Sequence, residues 1–337
     1  MPISSPIRLD DLRRDPGRVL ASTASASLID LDDGVLCLEF HSKGNTLDGE
    51  TLAVGEEALR IIPGRYLGLV IGNQGTDFSF GANLRWLLHL LDEIGDDRQA
   101  FHDRAKRFQR LTTGMRIAPF PVVAAPFGRT VGGALELSMY CDRVQAHAEV
   151  RMRLPEVAVG ILPDLGGTSE LYARSVEAAG RGNEAAGLRA AFETIVFMRE
   201  SRDARHAREL HFLRDTDRIT EELPRLLDDA KASVLELADG YAPPRHRDAI
   251  PVLGDRGYAA LDGAIGMARA ARLASDYDAE IARAIARVMT ASPGLARTIP
   301  HEEMLDLETR WFETLIFDPR TRARMQHFLD NRTPLRN

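Results

Sequence analysis

The chain has 337 residues, a formal net charge of −7 at pH 7 and 44% hydrophobic residues, enough for roughly two domains of about 150 residues each. Of its 43 basic residues only Lys43, Lys106 and Lys231 are lysines, leaving 40 arginines. Because 50 acidic residues stand against them, the arginines do not describe a nucleic-acid surface. No run of 18 apolar residues occurs, which excludes a helical membrane span. The opening MPISSPIRLDDLRRD has neither the apolar stretch of a secretory signal nor the acid-poor character of a transit peptide. Cys37 and Cys141 each lie in apolar surroundings and read as reduced, buried thiols, so a cytoplasmic protein is expected.

Residues 1–24 are polar and Ser/Pro-bearing and read as an N-terminal arm. Ser27–Leu31 and Val35–Phe40 are strands joined by an Asp-Asp-Gly turn, a hairpin signal. Glu50 to Ile62 has helical spacing and stops at Pro63-Gly64. Leu67–Ile71 is a short continuous apolar run, as in a strand buried on both faces. Helical patterns follow from Leu84 to Ile94 and from Gln99 to Met115, then a further buried strand, Pro121–Ala125. This alternation indicates an α/β core over residues 25–190. From about residue 185 strand signals vanish, and residues 191–337 read as a helical region with turns at Pro243-Pro244, Gly254 and Pro293. Within it, Ile281, Ile285, Val288 and Met289 mark one amphipathic helix face.

The stretches that bear chemistry lie between residues 77 and 168. Gly132-Gly133 follows a buried strand and opens a helix, whose first-turn N–H groups have no intrahelical acceptor. A ligand oxygen can approach paired glycines closely, and the helix dipole there favours negative charge. Glu136 stands one turn further on nearly the same face. An oxyanion donor and an acid/base group are thereby presented side by side, although a Gly-Gly pair also serves simply as a packing device. Glu156, in Leu154-Pro-Glu-Val-Ala-Val159, is an acid among apolar residues, where desolvation raises a carboxyl pKa; a solvated glutamate at a helix start is the alternative. In Asp77-Phe-Ser-Phe-Gly-Ala-Asn83 a glycine-bearing loop leads from a strand into a helix, with Asn83 also suited to cap that helix. Arg104, Arg107 and Arg110 form a stripe read as a solvated face, and His206 and His211 read as surface residues.

Three of these stretches in this order, Phe78-Ser-Phe-Gly-Ala-Asn83, Gly132-Gly-Ala-Leu-Glu136, and Pro155-Glu156 followed by Gly166-Gly-Thr168, make the chain resemble the crotonase superfamily, whose typical member is enoyl-CoA hydratase. In particular it resembles the hydratase portion of bifunctional 3-hydroxyacyl-CoA dehydrogenases, in Leu36–Asn45, Leu69–Gln74, Val122–Gly128, Ala207–Phe212 and Pro334–Asn337. The likeness runs from about residue 25 to Asn337, and no Gly-x-Gly-x-x-Gly stretch of an NAD-binding half occurs.

The resemblance implies a spiral of ββα turns followed by helices that cover the site or mediate assembly. It implies an oxyanion hole from the backbone N–H groups of Ala82 and Gly133, each such donor being worth about 2.7–4 kcal/mol. Glu136 and Glu156 match the two acid/base groups, which in a hydratase hold one water and titrate as a coupled unit. Phe80, Gly81, Gly132, Lys43 and Asn45 match positions that contact the adenine, pantetheine and thioester of acyl-CoA. Departures occur at Phe80, where a small residue is usual, at Ala134-Leu135, and at Asp164, where hydratases carry glycine and dienoyl-CoA isomerases aspartate. The expected activity is hydration of a trans-2-enoyl-CoA, with a double-bond isomerase using Asp164 as the alternative. Acyl-CoA is the expected partner, as substrate, with no metal or organic cofactor, no nucleic acid and no membrane. A homo-oligomer, trimer or hexamer, is expected, or a hydratase subunit docking onto a separate dehydrogenase. Most arginines are expected at the solvent face, with a few at the CoA phosphates.

Overall fold

The Asp-Asp-Gly turn closes the hairpin that the sequence announces: Asp32, Asp33 and Gly34 all take positive φ, and Leu31 N donates to Val35 O at 2.9 Å. Asp tolerates this left-handed backbone better than most residues because its short side chain bonds locally. In the computed structural model, which describes residues 5–244 and 249–337, the hairpin strands Ala26–Asp30 and Val35–Phe40 belong to a seven-stranded sheet. Its order is Val19–Ser22, Ala26–Asp30, Val35–Phe40, Gly68–Ile71, Val122–Ala124, Arg143–His147 and Arg218–Thr220. The first two pairings are antiparallel, and from Val35–Phe40 onward every pairing is parallel.

The register sets Cys37 beside Val70 and Val70 beside Val123, so the apolar runs stack across the middle of the sheet. Every residue of Val35–Phe40, Gly68–Ile71 and Val122–Ala124 is buried, as expected of parallel strands covered on both faces. Helix Leu226–Ala238 packs on this sheet; an added Cβ at Gly68 would lie 2.6 Å from Val234 Cγ1, and one at Gly72 2.6 Å from Leu227 Cδ2. Cys37 and Cys141 are free and buried, and burial pushes both thiols upward.

The described residues form two compact units. Residues 5–83, 110–152 and 200–244 make the first, which holds the whole seven-stranded sheet; residues 84–109, 153–199 and 249–337 make the second. The boundaries expected near residues 24 and 190 are not boundaries between these units. Residues 1–4 of the expected arm lie outside the described residues. The remainder of the arm is built into the fold as helix Leu9–Arg13 and sheet strand Val19–Ser22.

The expectation that strands end near residue 185 is corrected by Arg218–Thr220, which pairs with Gln145–His147 at the sheet edge. Only one of its three residues is buried, so it lacks the alternation by which a strand is read from sequence. A second correction is the short pair Ile250–Val252 with Arg297–Ile299 inside the otherwise helical second unit.

That unit is built around helix Asp276–Thr290, with ten buried residues including the expected face Ile281, Ile285, Val288 and Met289. Its N-terminus carries a reciprocal capping box between Ser275 and Asp278. Helices Gly167–Ala179, Glu184–Val196, Gly254–Ala270 and His301–Ile316 pack against or beside it, and Pro319–Asn331 follows. Among the described residues no helix is long and apolar enough to cross a membrane.

Candidate active site

The first unit brings two glycine-bearing turns together through backbone pairing. Ser79 N donates to Arg129 O at 3.1 Å and Val131 N to Ser79 O at 3.0 Å, a parallel bridge between the loop and strand Arg129–Val131. On its other side the loop pairs with Leu47, whose N–H donates to Gly81 O and whose carbonyl accepts from Asn83 N, each at 2.8 Å. Ala82 is therefore fixed by its two chain neighbours and is itself exposed. Gly81 has φ +75, and a Cβ there would lie 2.6 Å from Val131 O and 3.1 Å from Gly133 N. Only a glycine accommodates both that conformation and that approach, and the approach sets the Ala82 loop against the Gly132-Gly133 turn.

Helix Gly133–Met139 starts at this turn, with all seven residues buried. Glu136 N donates to Gly132 O at 3.0 Å, and its residue is 2% exposed. Lys43 and Asn45 lie in the 3-10 turn Lys43–Asn45. Asn45 Nδ2 donates to Asp77 O at 3.1 Å, Ser79 Oγ to Asn45 O at 2.6 Å and Phe80 N to Gly44 O at 3.2 Å. Phe80 is 41% exposed and sits under the Arg129 guanidinium, 4.6 Å from ring centroid to carbon. Arg129 also donates through Nε and Nη2 to the two oxygens of Asp77, each at 2.9 Å, and this pairing holds the Asp77 carboxyl below its ordinary range. Phe80, Gly81, Ala82, Gly132, Gly133, Glu136, Lys43 and Asn45 thus all belong to one framework. The Arg129–Phe80 stack was not marked by any sequence pattern; Asp77 at the loop start was its nearest signal.

Glu156 and Asp164 belong to the second unit. Glu156 opens the 3-10 helix Glu156–Val159 and is 8% exposed. Asp164 is half-buried in the turn before helix Gly167–Ala179, and its carbonyl accepts from Gln109 Nε2 at 3.0 Å. The same turn is held by the buried Glu308 carboxylate, which accepts from Gly166 N at 3.1 Å, from Ser169 N at 3.2 Å and from Ser169 Oγ. A carboxylate at a helix N-terminus satisfies orphan N–H donors and complements the dipole. Gln109 and Glu308 hold the turn of Asp164, which sequence reasoning missed because neither belongs to a motif. Of the arginine stripe, Arg104 and Arg110 are exposed. His206 lies in helix Ala204–Glu209, while His211 falls beyond the end of that helix.

Residues 31–181 match the family model described as Enoyl-CoA hydratase/isomerase. The chain belongs to the crotonase superfamily. The chain is 37% identical over 337 residues to a "Probable 3-hydroxyacyl-CoA dehydrogenase" of Bacillus subtilis, an alignment covering 98% of this chain and 41% of the relative. It is 40% identical over 111 residues to a "Fatty acid oxidation complex subunit alpha" of Vibrio cholerae, covering 32% of this chain and 15% of that protein. The chain therefore spans less than half the length of these curated relatives. Among solved structures, an enoyl-CoA hydratase from Mycobacterium avium subsp. paratuberculosis superposes with a TM-score of 0.59 at 18% identity, covering 94% of this chain and 100% of that one. At that identity the likeness concerns the fold, a crotonase α/β core with a helical C-terminal region.

Proposed function

We propose that this chain hydrates a trans-2-enoyl-CoA in acyl-CoA degradation. The observation that carries the reading is the approach of Gly81 to the Gly132-Gly133 turn, which sets the Ala82 and Gly133 segments in one frame with Glu136 in the first helical turn. In this reading the N–H groups of Ala82 and Gly133 polarise the thioester carbonyl and stabilise the enolate formed from it. Glu136 takes a proton from water as its oxygen bonds to the β-carbon, the π electrons pass to the enolate, and Glu156 delivers a proton to the α-carbon. Exchange with solvent returns Glu136 to its carboxylate and Glu156 to its acid, which closes the cycle. The α-proton of a thioester is acidic enough for side-chain carboxyls to handle it, so the reading assigns no metal or organic cofactor. Phe80, Asn45 and the exposed Lys43 form the rim assigned to the CoA adenine, pantetheine and phosphates, with Arg129 already engaged by Asp77 and Phe80.

The test is hydration of crotonyl-CoA and longer enoyl-CoAs, followed as loss of the ultraviolet absorbance of the conjugated thioester. Turnover by the wild-type chain is expected; inertness across short, medium and long chains would sink the reading. A double-bond isomerase is the second reading, favoured by Asp164 in a turn that Gln109 and Glu308 fix in the unit of Glu156. There, Asp164→Gly abolishes isomerisation and spares hydration. The dehydrogenase named for the Bacillus subtilis relative, of which this chain matches 41%, supports a further proposal. The product 3-hydroxyacyl-CoA would pass to a dehydrogenase partner.

A further inference from the structure

The segment carrying Glu156 is tied from a helix more than 150 residues away in sequence. Thr321 Oγ1 donates to Gly160 O at 2.7 Å, and Arg324 Nη1 donates to Val157 O at 3.2 Å. Both donors stand three residues apart on helix Pro319–Asn331, hence on one face, and both are fully buried. The contact is close as well as polar: a Cβ at Gly160, which has φ +90, would lie 2.5 Å from Thr321 Oγ1 and 2.9 Å from Thr321 Cα.

Each donor is itself held. Tyr277 OH lies 2.5 Å from Thr321 Oγ1 and 3.4 Å from Gly160 O. Arg324 pairs with Asp278 at 2.8 Å, donates to Ser275 Oγ at 3.3 Å and to Asn337 Oδ1 at 2.8 Å, and lies over the Tyr277 ring. A four-residue 3-10 helix has poor internal hydrogen-bond geometry. Nor is this one clamped on all sides by packing, because Val157 and Ala158 line a cavity of about 1100 Å³ shared with Leu188, Phe192, Leu261 and Ile265. With Glu156, Val157 and Val159 buried, the carbonyl ties from Thr321 and Arg324, backed by Tyr277, complete the hold on the turn.

We infer that Thr321 and Arg324 are positioning residues for Glu156, so that helix Pro319–Asn331 sets where the acid stands. The inference rests on the reading of Glu156 as the proton donor. Displacement of a reacting group by about 1 Å can cost about 100-fold in rate. Thr321→Val keeps the side-chain shape and removes the donor. It is expected to lower kcat on crotonyl-CoA at least about tenfold, with KM within about twofold of wild type. Thr321→Ser, which keeps the hydroxyl, restores kcat. Tyr277→Phe removes the partner of Thr321 and the longer 3.4 Å contact to Gly160 O, and lowers kcat less than Thr321→Val.

Hydrogen exchange of the whole chain gives a readout that needs no substrate. Thr321→Val should lose protection at residues 157–161 while Asp276–Thr290 and the sheet keep theirs. Unchanged kcat and unchanged exchange overturn the inference, as does protection lost uniformly across the second unit. If the wild-type chain hydrates no enoyl-CoA, the functional reading is what fails. The positioning of the Glu156 segment is then decided on exchange alone, standing if the loss is confined to 157–161 and falling if it is absent or spread.

Discussion

The two units hold their candidate residues by different means. In the first, the Ala82 loop is held mainly by main-chain hydrogen bonds to Leu47 and the Arg129–Val131 strand, with Ser79 Oγ, Asn45 Nδ2 and the Arg129–Asp77 pair adding side-chain bonds. In the second, side chains hold the main chain around Glu156 and Asp164. Thr321 and Arg324 act from 161 and 167 residues away, and Glu308 from 142 and 139. A backbone framework needs particular residues only where the chain must turn or approach closely, which is where glycine shows. A side-chain tie needs one residue at a distant position and leaves nothing in the local pattern. The lesson is that a short motif can name the reacting groups without naming what aims them.

The largest expected effects test the roles proposed for Glu136 in the first unit and for Glu156 in the second. Glu136→Gln and Glu156→Gln should each lower kcat for enoyl-CoA hydration by about 10²–10⁴-fold with the fold retained, measured by absorbance decay alongside circular dichroism. A loss at only one of the two would overturn the acid/base role proposed for the other. Next come paired glycine substitutions. Gly81→Ala forces a Cβ onto the backbone oxygen of Val131, and Gly160→Ala forces one onto Thr321, both at positive φ. Each should destabilise by about 2–4 kcal/mol in urea unfolding. Combining Gly160→Ala with Thr321→Ala should relieve the collision with Oγ1, whereas no side-chain truncation relieves Gly81→Ala. Equal rescue of both would erase the distinction between a backbone framework and a side-chain tie.

The smallest effect contrasts two buried carboxylates. Glu308 in the second unit accepts from backbone N–H groups. Glu39 in the first unit has its carboxyl pushed up to about 7 by burial, against the attraction of Arg13 at 3.4 Å. As pH rises from about 4.5 to about 7, the unfolded chain releases this proton while the folded chain keeps it, so stability falls across that window. Glu39→Gln should flatten this slope and raise stability at pH 8 by about 2–3 kcal/mol, read from urea unfolding at pH 5 and pH 8. An unchanged slope would show that Arg13 compensates the burial fully.

Much of the first unit was legible. The hairpin and the strands at Gly68–Ile71 and Val122–Ala124 follow from turn residues and apolar runs, as does helix Leu84–Ile94 in the second unit. Arg218–Thr220 was not, since a three-residue edge strand with one buried side chain is defined by its neighbour rather than by its own pattern. Nor was the incorporation of Val19–Ser22 into the sheet, because its four residues are at most half-buried. The two compact units could not be read either, as each is assembled from three separated stretches.

By itself the sequence determined the superfamily, the glycines that shape the two turns and the glutamates offered for chemistry, because local conformation and side-chain type are properties of neighbouring residues. Only the tertiary structure decided that Phe80 lies beneath Arg129, that Glu308 caps the helix after Asp164, and that Thr321 and Arg324 grip the turn of Glu156. Those relations join residues from 49 to 167 positions apart. They exist because buried backbone groups must find partners once water is excluded, and the partner is whichever side chain folding brings within reach.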